Sequence, residues 1–127
     1  MENWMWWAVA FVALFFLMRP SVPAKAVLVA GDVRDQMAAK KDLQLVDVRT
    51  PGEFSQGHLA GAKLLPLNEL AGRLKELDPQ KPLIVYCHSG NRSGQALKIL
   101  LGQGFPDAKH MQGGISAWQR AGLPVTR

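Results

Sequence analysis

The chain has 127 residues, with 15 Lys and Arg against 10 Asp and Glu, a formal net charge of +5. That is room for one domain, which excludes a multidomain enzyme and a long repeat array. The basic residues are spread singly apart from Lys40-Lys41, which argues against a nucleic-acid stripe, and the single cysteine excludes an internal disulfide framework and a Cys-based zinc cluster.

Trp4 to Met18 is an unbroken apolar run, closed by Arg19-Pro20. It lacks the polar face of a surface helix packed on a core. Two readings remain for residues 1–26 as a hydrophobic segment and linker outside the folded domain. One is a retained membrane anchor through residues 4–18, with Trp4, Trp6 and Trp7 at one interface and Arg19 at the other. The other is a signal peptide cleaved near Ala26, at Ala24-Lys25-Ala26, which would leave the domain exported to the periplasm. Arg19, Lys25, Arg34, Lys40 and Lys41 all follow the run, so an anchor would leave the domain facing the cytoplasm.

Residues 27–127 read as alternating strands and helices. Leu43 to Asp47 is a short apolar run, and Leu83 to Cys87 is a continuous apolar one with β-branched Ile84 and Val85, as expected for a strand buried on both faces. Ala62–Leu65 and Ala108–Met111 are weaker strand candidates. Leu67, Leu70, Leu74 and Leu77 share a helical face, with Asn68 as the expected N-cap, Pro79 beyond the end and Gly72 as a weak point. Ala96, Leu97, Leu100 and Leu101 form a second stripe, stopped by Gly102 and Gly104, and Gly113-Gly114 opens a last short helix through Ile115 and Trp118. Strand–helix alternation of this kind implies an α/β domain, a parallel sheet with helices on both faces.

The segment Cys87-His88-Ser89-Gly90-Asn91-Arg92-Ser93 lies between the buried strand and the second helix. Ligands in open α/β sheets bind beyond the carboxyl ends of strands. A short polar loop there turns backbone N–H groups inward, and a helix starting near Arg92 adds its positive end. Such surroundings lower a thiol's pKa, so Cys87 is the expected nucleophile. Gly90 permits the backbone to approach the sulfur, and Arg92 is placed either to fork onto an anion or to brace the loop. His88 is expected to shape the mouth of the site rather than to act as a base.

Three motifs in order resemble the rhodanese family of sulfurtransferases. They are Asp47-Val48-Arg49 with Glu53-Phe54 and Gly57 to Ala62, then Tyr86 to Ser93, then Gly113 to Trp118 followed by Gly122-Leu123-Pro124-Val125. The likeness covers Val27 to Val125 and leaves out the N-terminal run. It implies a rhodanese-like fold with a central parallel sheet of about five strands and helices on both faces; the apolar run itself is expected to precede that domain as one hydrophobic N-terminal helix. It also implies sulfur transfer from a donor such as thiosulfate to cyanide, a thiol or a protein, through a persulfide on Cys87. His88, Ser89, Gly90, Asn91, Arg92 and Ser93 would hold the substrate, and no metal or organic cofactor is expected. Asp47 and Arg49 would brace the surrounding loops, with Arg49 expected to pair with Glu53, while His58 would be structural and Trp118 a core anchor.

Two other readings use the same residues. A small tyrosine- or arsenate-type phosphatase also sets Cys and Arg around an anion loop, but such loops place one more residue between them than the four found here. A binding or delivery module would receive its sulfur from one protein and pass it to another.

Overall fold

The computed structural model describes residues 3–17 and 22–127. The order is α1 (Asn3–Leu17), a 3-10 turn at Ala24–Ala26, β1 (Val27–Leu28), α2 (Ala30–Ala39), β2 (Gln44–Asp47), α3 (Pro51–Gln56), β3 (Lys63–Leu64), α4 (Leu67–Leu70), a 3-10 turn at Leu74–Glu76, β4 (Leu83–Tyr86), α5 (Asn91–Gly102), β5 (Ala108–Met111) and α6 (Gly114–Arg120).

The five strands pair in parallel in the order β1-β5-β4-β2-β3. β4 lies at the centre, and all four of its residues are buried. Its alternating side chains split the core into two layers. Leu83, Val85 and Cys87 pack with Leu70 of α4 and Ala96, Leu97 and Leu100 of α5. Ile84 and Tyr86 pack on the other face with Val33 of α2 and Ile115 and Trp118 of α6. A strand covered on both sides has no polar face to show, which is why it reads as an unbroken apolar run.

From β2 the chain moves outward to β3, and from β4 it moves the opposite way to β5. The carboxyl ends of β2 and β4 therefore border the point where the winding reverses, where the loops part and leave a crevice.

Several expectations are corrected. The Leu67–Leu77 stripe is not one helix: α4 stops at Leu70, and a 3-10 turn carries Leu74. Pro66, not Asn68, holds the N-cap position. Gly72, a poor helix former, follows the break, and tight turns keep Leu70 and Leu77 in the core instead. The anchor expected through residues 4–18, which runs into residues outside the described ones, is not shown as a span. α1 has 15 residues, about 22 Å of helix against a hydrocarbon core of roughly 30 Å. Among the described residues no helix is long and apolar enough to cross a membrane. Arg19, assigned to the far interface, lies outside the described residues.

Candidate active site

β4 ends at Tyr86 and delivers Cys87, 1% exposed, to the edge of the crevice. The next three residues turn the chain into α5. Gly90 holds the N-cap position with φ +108°, a left-handed conformation that side-chain-bearing residues rarely adopt. The turn aims its N–H back at the sulfur, 3.0 Å from Cys87 Sγ. Ser93, in the first turn of α5 and fully buried, brings its hydroxyl to 3.5 Å from the same sulfur.

Burial pushes the Cys87 thiol up, because a buried thiolate loses water. The Ser93 hydroxyl and the amides of Ser93, Gly90 and Ser89 outweigh it, and the thiol sits below its ordinary range. An anion on this sulfur is held by donors already in place.

The loop is clamped from behind by α6. The carbonyl of Cys87 accepts from the Ile115 amide at 2.9 Å, and that of His88 accepts from the Ser116 amide at 3.0 Å. Two amides in the first turn of α6 thus find partners in the loop. This close docking needs Gly114. A Cβ there would lie 2.4 Å from the Cys87 carbonyl oxygen and 2.5 Å from that of His88.

Arg92 forks onto Glu53, Nη1 to Oε1 at 2.7 Å and Nη2 to Oε2 at 2.9 Å. The partner expected for Glu53 was Arg49. Arg49 instead points inward and grips Asp47, with Nη2 to Oδ2 at 2.7 Å, and gives a further hydrogen bond to the Gly57 carbonyl. Four charged groups, Asp47, Arg49, Glu53 and Arg92, lie within reach of one another, and burial sorts them into pairs. Asp47 at the end of β2 is fully buried and takes the cation that is also buried, leaving the half-buried Glu53 for Arg92. The Arg92 guanidinium holds the Glu53 carboxyl down to about 2. Arg92 thus braces α5 to α3.

His88, Ser89 and Asn91 are exposed around the sulfur. His88 lines a cleft of about 300 Å³ together with Arg49, Glu53, Gln56, Gly57, Ile115 and Gln119. His58 stacks on Phe54, ring centroids 3.7 Å apart, and its Nδ1 meets the Phe54 carbonyl at 2.9 Å, away from the sulfur. Trp118, 3% exposed, gives its indole N–H to the Pro124 carbonyl at 2.8 Å.

One neighbour of the sulfur's surroundings carries no signal in the sequence. His110 of β5 sets Nδ1 3.0 Å from Ser93 Oγ. It stands seventeen residues from Ser93, and only strand pairing joins them.

The model for the rhodanese-like domain matches residues 29–121. The chain belongs to the rhodanese-like domain family. A protein called Sulfurtransferase from Allochromatium vinosum is 40% identical over 90 residues, 71% of this chain and 84% of that protein. Thiosulfate sulfurtransferase GlpE of Shewanella oneidensis is 40% identical over 86 residues, 68% of this chain and 85% of that protein. Among solved structures, a rhodanese-related protein from Thermoplasma volcanium superimposes with a TM-score of 0.73 at 32% identity, covering 79% of this rhodanese-like chain and 96% of that one.

Proposed function

We propose that this rhodanese-like domain is a sulfurtransferase that carries sulfane sulfur as a persulfide on Cys87. The observation that carries the reading is the Gly90 amide, 3.0 Å from a Cys87 sulfur whose thiol is held below its ordinary range. The Cys87 thiolate attacks the outer sulfur of thiosulfate. The sulfur–sulfur bond of the donor breaks, and its electron pair leaves with sulfite. Cys87 then carries a terminal sulfur with one negative charge, and the loop amides stabilise it as an oxyanion hole stabilises oxygen. An acceptor such as cyanide or a thiolate attacks the terminal sulfur and returns Cys87 as thiolate. The two half-reactions share one covalent intermediate, so ping-pong kinetics are expected. His88, Ser89, Gly90, Asn91, Arg92 and Ser93 form the substrate cradle, the first five through the loop's amides and rim and Ser93 through its hydroxyl.

The test is the intact mass of the full chain after exposure to thiosulfate. A gain of one sulfur atom is expected, lost again on adding cyanide. Cys87→Ser should gain nothing, because its hydroxyl is a poor nucleophile. Sulfur loading or cyanide-coupled turnover retained in Cys87→Ser would overturn the mechanism.

The location we propose is a membrane surface, reached through residues 4–18 with the domain in the cytoplasm. Trp6, Trp7 and Phe11 of α1 support it, being 72%, 77% and 72% exposed. The tryptophan rings favour a lipid interface, and Phe11 adds apolar area beside them. The full chain should pellet with membranes, and a chain lacking residues 4–18 should stay in the supernatant. Equal recovery of both in the supernatant would sink the idea.

A further inference from the structure

We propose that His110 is a positioning residue for Cys87, acting through Ser93: with its proton on Nδ1 it donates to Ser93 Oγ and frees the Ser93 proton for the sulfur.

The Ser93 hydroxyl has one proton and three neighbours. They are the Gly90 carbonyl at 3.2 Å, His110 Nδ1 at 3.0 Å and Cys87 Sγ at 3.5 Å. If Nδ1 were bare, it would be the nearest acceptor and would draw that proton away from the sulfur. If Nδ1 carries hydrogen, it can only donate, and it fills a lone pair of Ser93 Oγ instead. While the sulfur is a neutral thiol, the Ser93 proton goes to the Gly90 carbonyl and the thiol donates to Ser93 Oγ. Once the sulfur is anionic, as thiolate or persulfide, it is the stronger acceptor and takes the proton.

The fold builds this chain from three elements. His110 pairs in register with Val85 of β4, so its side chain emerges on the α5 face of the sheet, the face that Cys87 also occupies. Gly94 of α5 lies beside the ring, where a Cβ would stand at ordinary contact distance, 3.8 Å from His110 Cε1. Burial holds His110 below the usual histidine range, so the ring is neutral near pH 7 and has a single N–H to place.

Other charged groups around the sulfur are already committed. Arg92 of α5 is taken by Glu53 of α3, and Asp47 at the end of β2 by Arg49. Lys109, beside His110 on β5, is taken by Asp107. β1 offers only Val27 and Leu28, and Tyr86 of β4 lies on the opposite face. His88 stands exposed on the rim. Substituting His110 leaves each of these in place.

The inference rests on Cys87 being the reacting sulfur, but its test reads the free thiol and needs no sulfur donor. The pH dependence of Cys87 alkylation by iodoacetamide is measured on the full chain. In His110→Leu the Ser93 hydroxyl loses the donor that polarises it and fixes its orientation toward the sulfur, so it binds the thiolate more weakly and the midpoint should rise, by up to about one pH unit, the scale of one net hydrogen bond. His110→Asn, which can present an N–H near the same place, should restore it toward wild type. Ser93→Ala should raise it alike, and the double variant should add nothing further. A folded His110→Leu with the wild-type midpoint overturns the proposal, as does His110→Leu shifting equally in the Ser93→Ala background. Should His110→Leu fail to fold, Ser93→Ala decides by itself: an unchanged midpoint there overturns the proposal as well. Sulfur loading that fails in wild type while these shifts appear would reject the sulfurtransferase reading and leave the hydrogen-bond chain standing.

Discussion

At the scale of single residues, two glycines do what no other residue could at their positions. Gly90 takes φ +108° so that its N–H faces the sulfur, and Gly114 allows the first turn of α6 to seat on the Cys87 and His88 carbonyls. The two act on opposite sides of one loop. Gly90→Val puts a β-branched side chain in a closed conformation, and a Cβ at 90 would also meet the Gly113 amide nitrogen at 3.3 Å. Gly114→Ala drives a methyl into backbone that cannot move without unseating Cys87. Overpacking of this kind costs about 1–3 kcal/mol. Gly114→Ala should therefore lower the urea midpoint and also slow sulfur loading. Loading at the wild-type rate in Gly114→Ala would show that the loop keeps its shape without the α6 clamp.

At the scale of elements, α3 and α5 are tied by one forked pair. Thr50 caps α3 by accepting from the Glu53 amide at 3.2 Å, while the Glu53 carboxylate accepts from the Thr50 amide, a reciprocal box. The same carboxylate takes both nitrogens of Arg92. Glu53 is thus held at about 2 in the fold, against about 4.3 in an unfolded chain. A lowered carboxylate stabilises the fold at any pH above the unfolded value, and that stabilisation is lost as pH falls toward 2. Both side chains are about a third exposed, at 33% and 32%, so solvent screening keeps the pair below about 1 kcal/mol. Glu53→Gln should accordingly melt a few degrees below wild type at pH 6, and the two melting curves should converge as pH is lowered to 2. A gap in Tm that stays constant from pH 6 to pH 2 would count against the charge on Glu53 as its source.

At the scale of the whole molecule, the site exists because β2 and β4 are neighbours whose chains leave in opposite directions. The buried Asp47–Arg49 pair holds this junction. Arg49 Nε lies 3.0 Å from both Asp47 oxygens, its backbone amide reaches Oδ1 at 2.9 Å, and Nη2 reaches across to the Gly57 carbonyl at 2.7 Å. Removing one member strands a buried charge, which costs about 3–5 kcal/mol. Asp47→Ala should lose that much in equilibrium urea unfolding, a large part of the margin of a domain this size. A loss under 1 kcal/mol would mean that the guanidinium finds water or another partner.

The primary structure carries the central strand, the cysteine at its end, Gly90, and the helix stripes of α5 and α6, because each of these is written in a local pattern of polarity or backbone permission. The loop that follows β4 was legible for that reason. β1 and α2 were not. β1 has two residues and exists only through pairing with β5, and α2 buries just Ala30 and Val33, too few to set a period. α3 is six residues long, and only its start signals, the Thr50–Glu53 capping spacing and Pro51 at the first position, announce it. The partners of charged and polar side chains belong to the tertiary structure alone. Whether Glu53 meets Arg49 or Arg92, and whether His110 reaches Ser93, depends on which groups the packed sheet buries together. Burial raises the cost of an unpaired charge or donor enough to select one pairing among those that the chain's spacing allows.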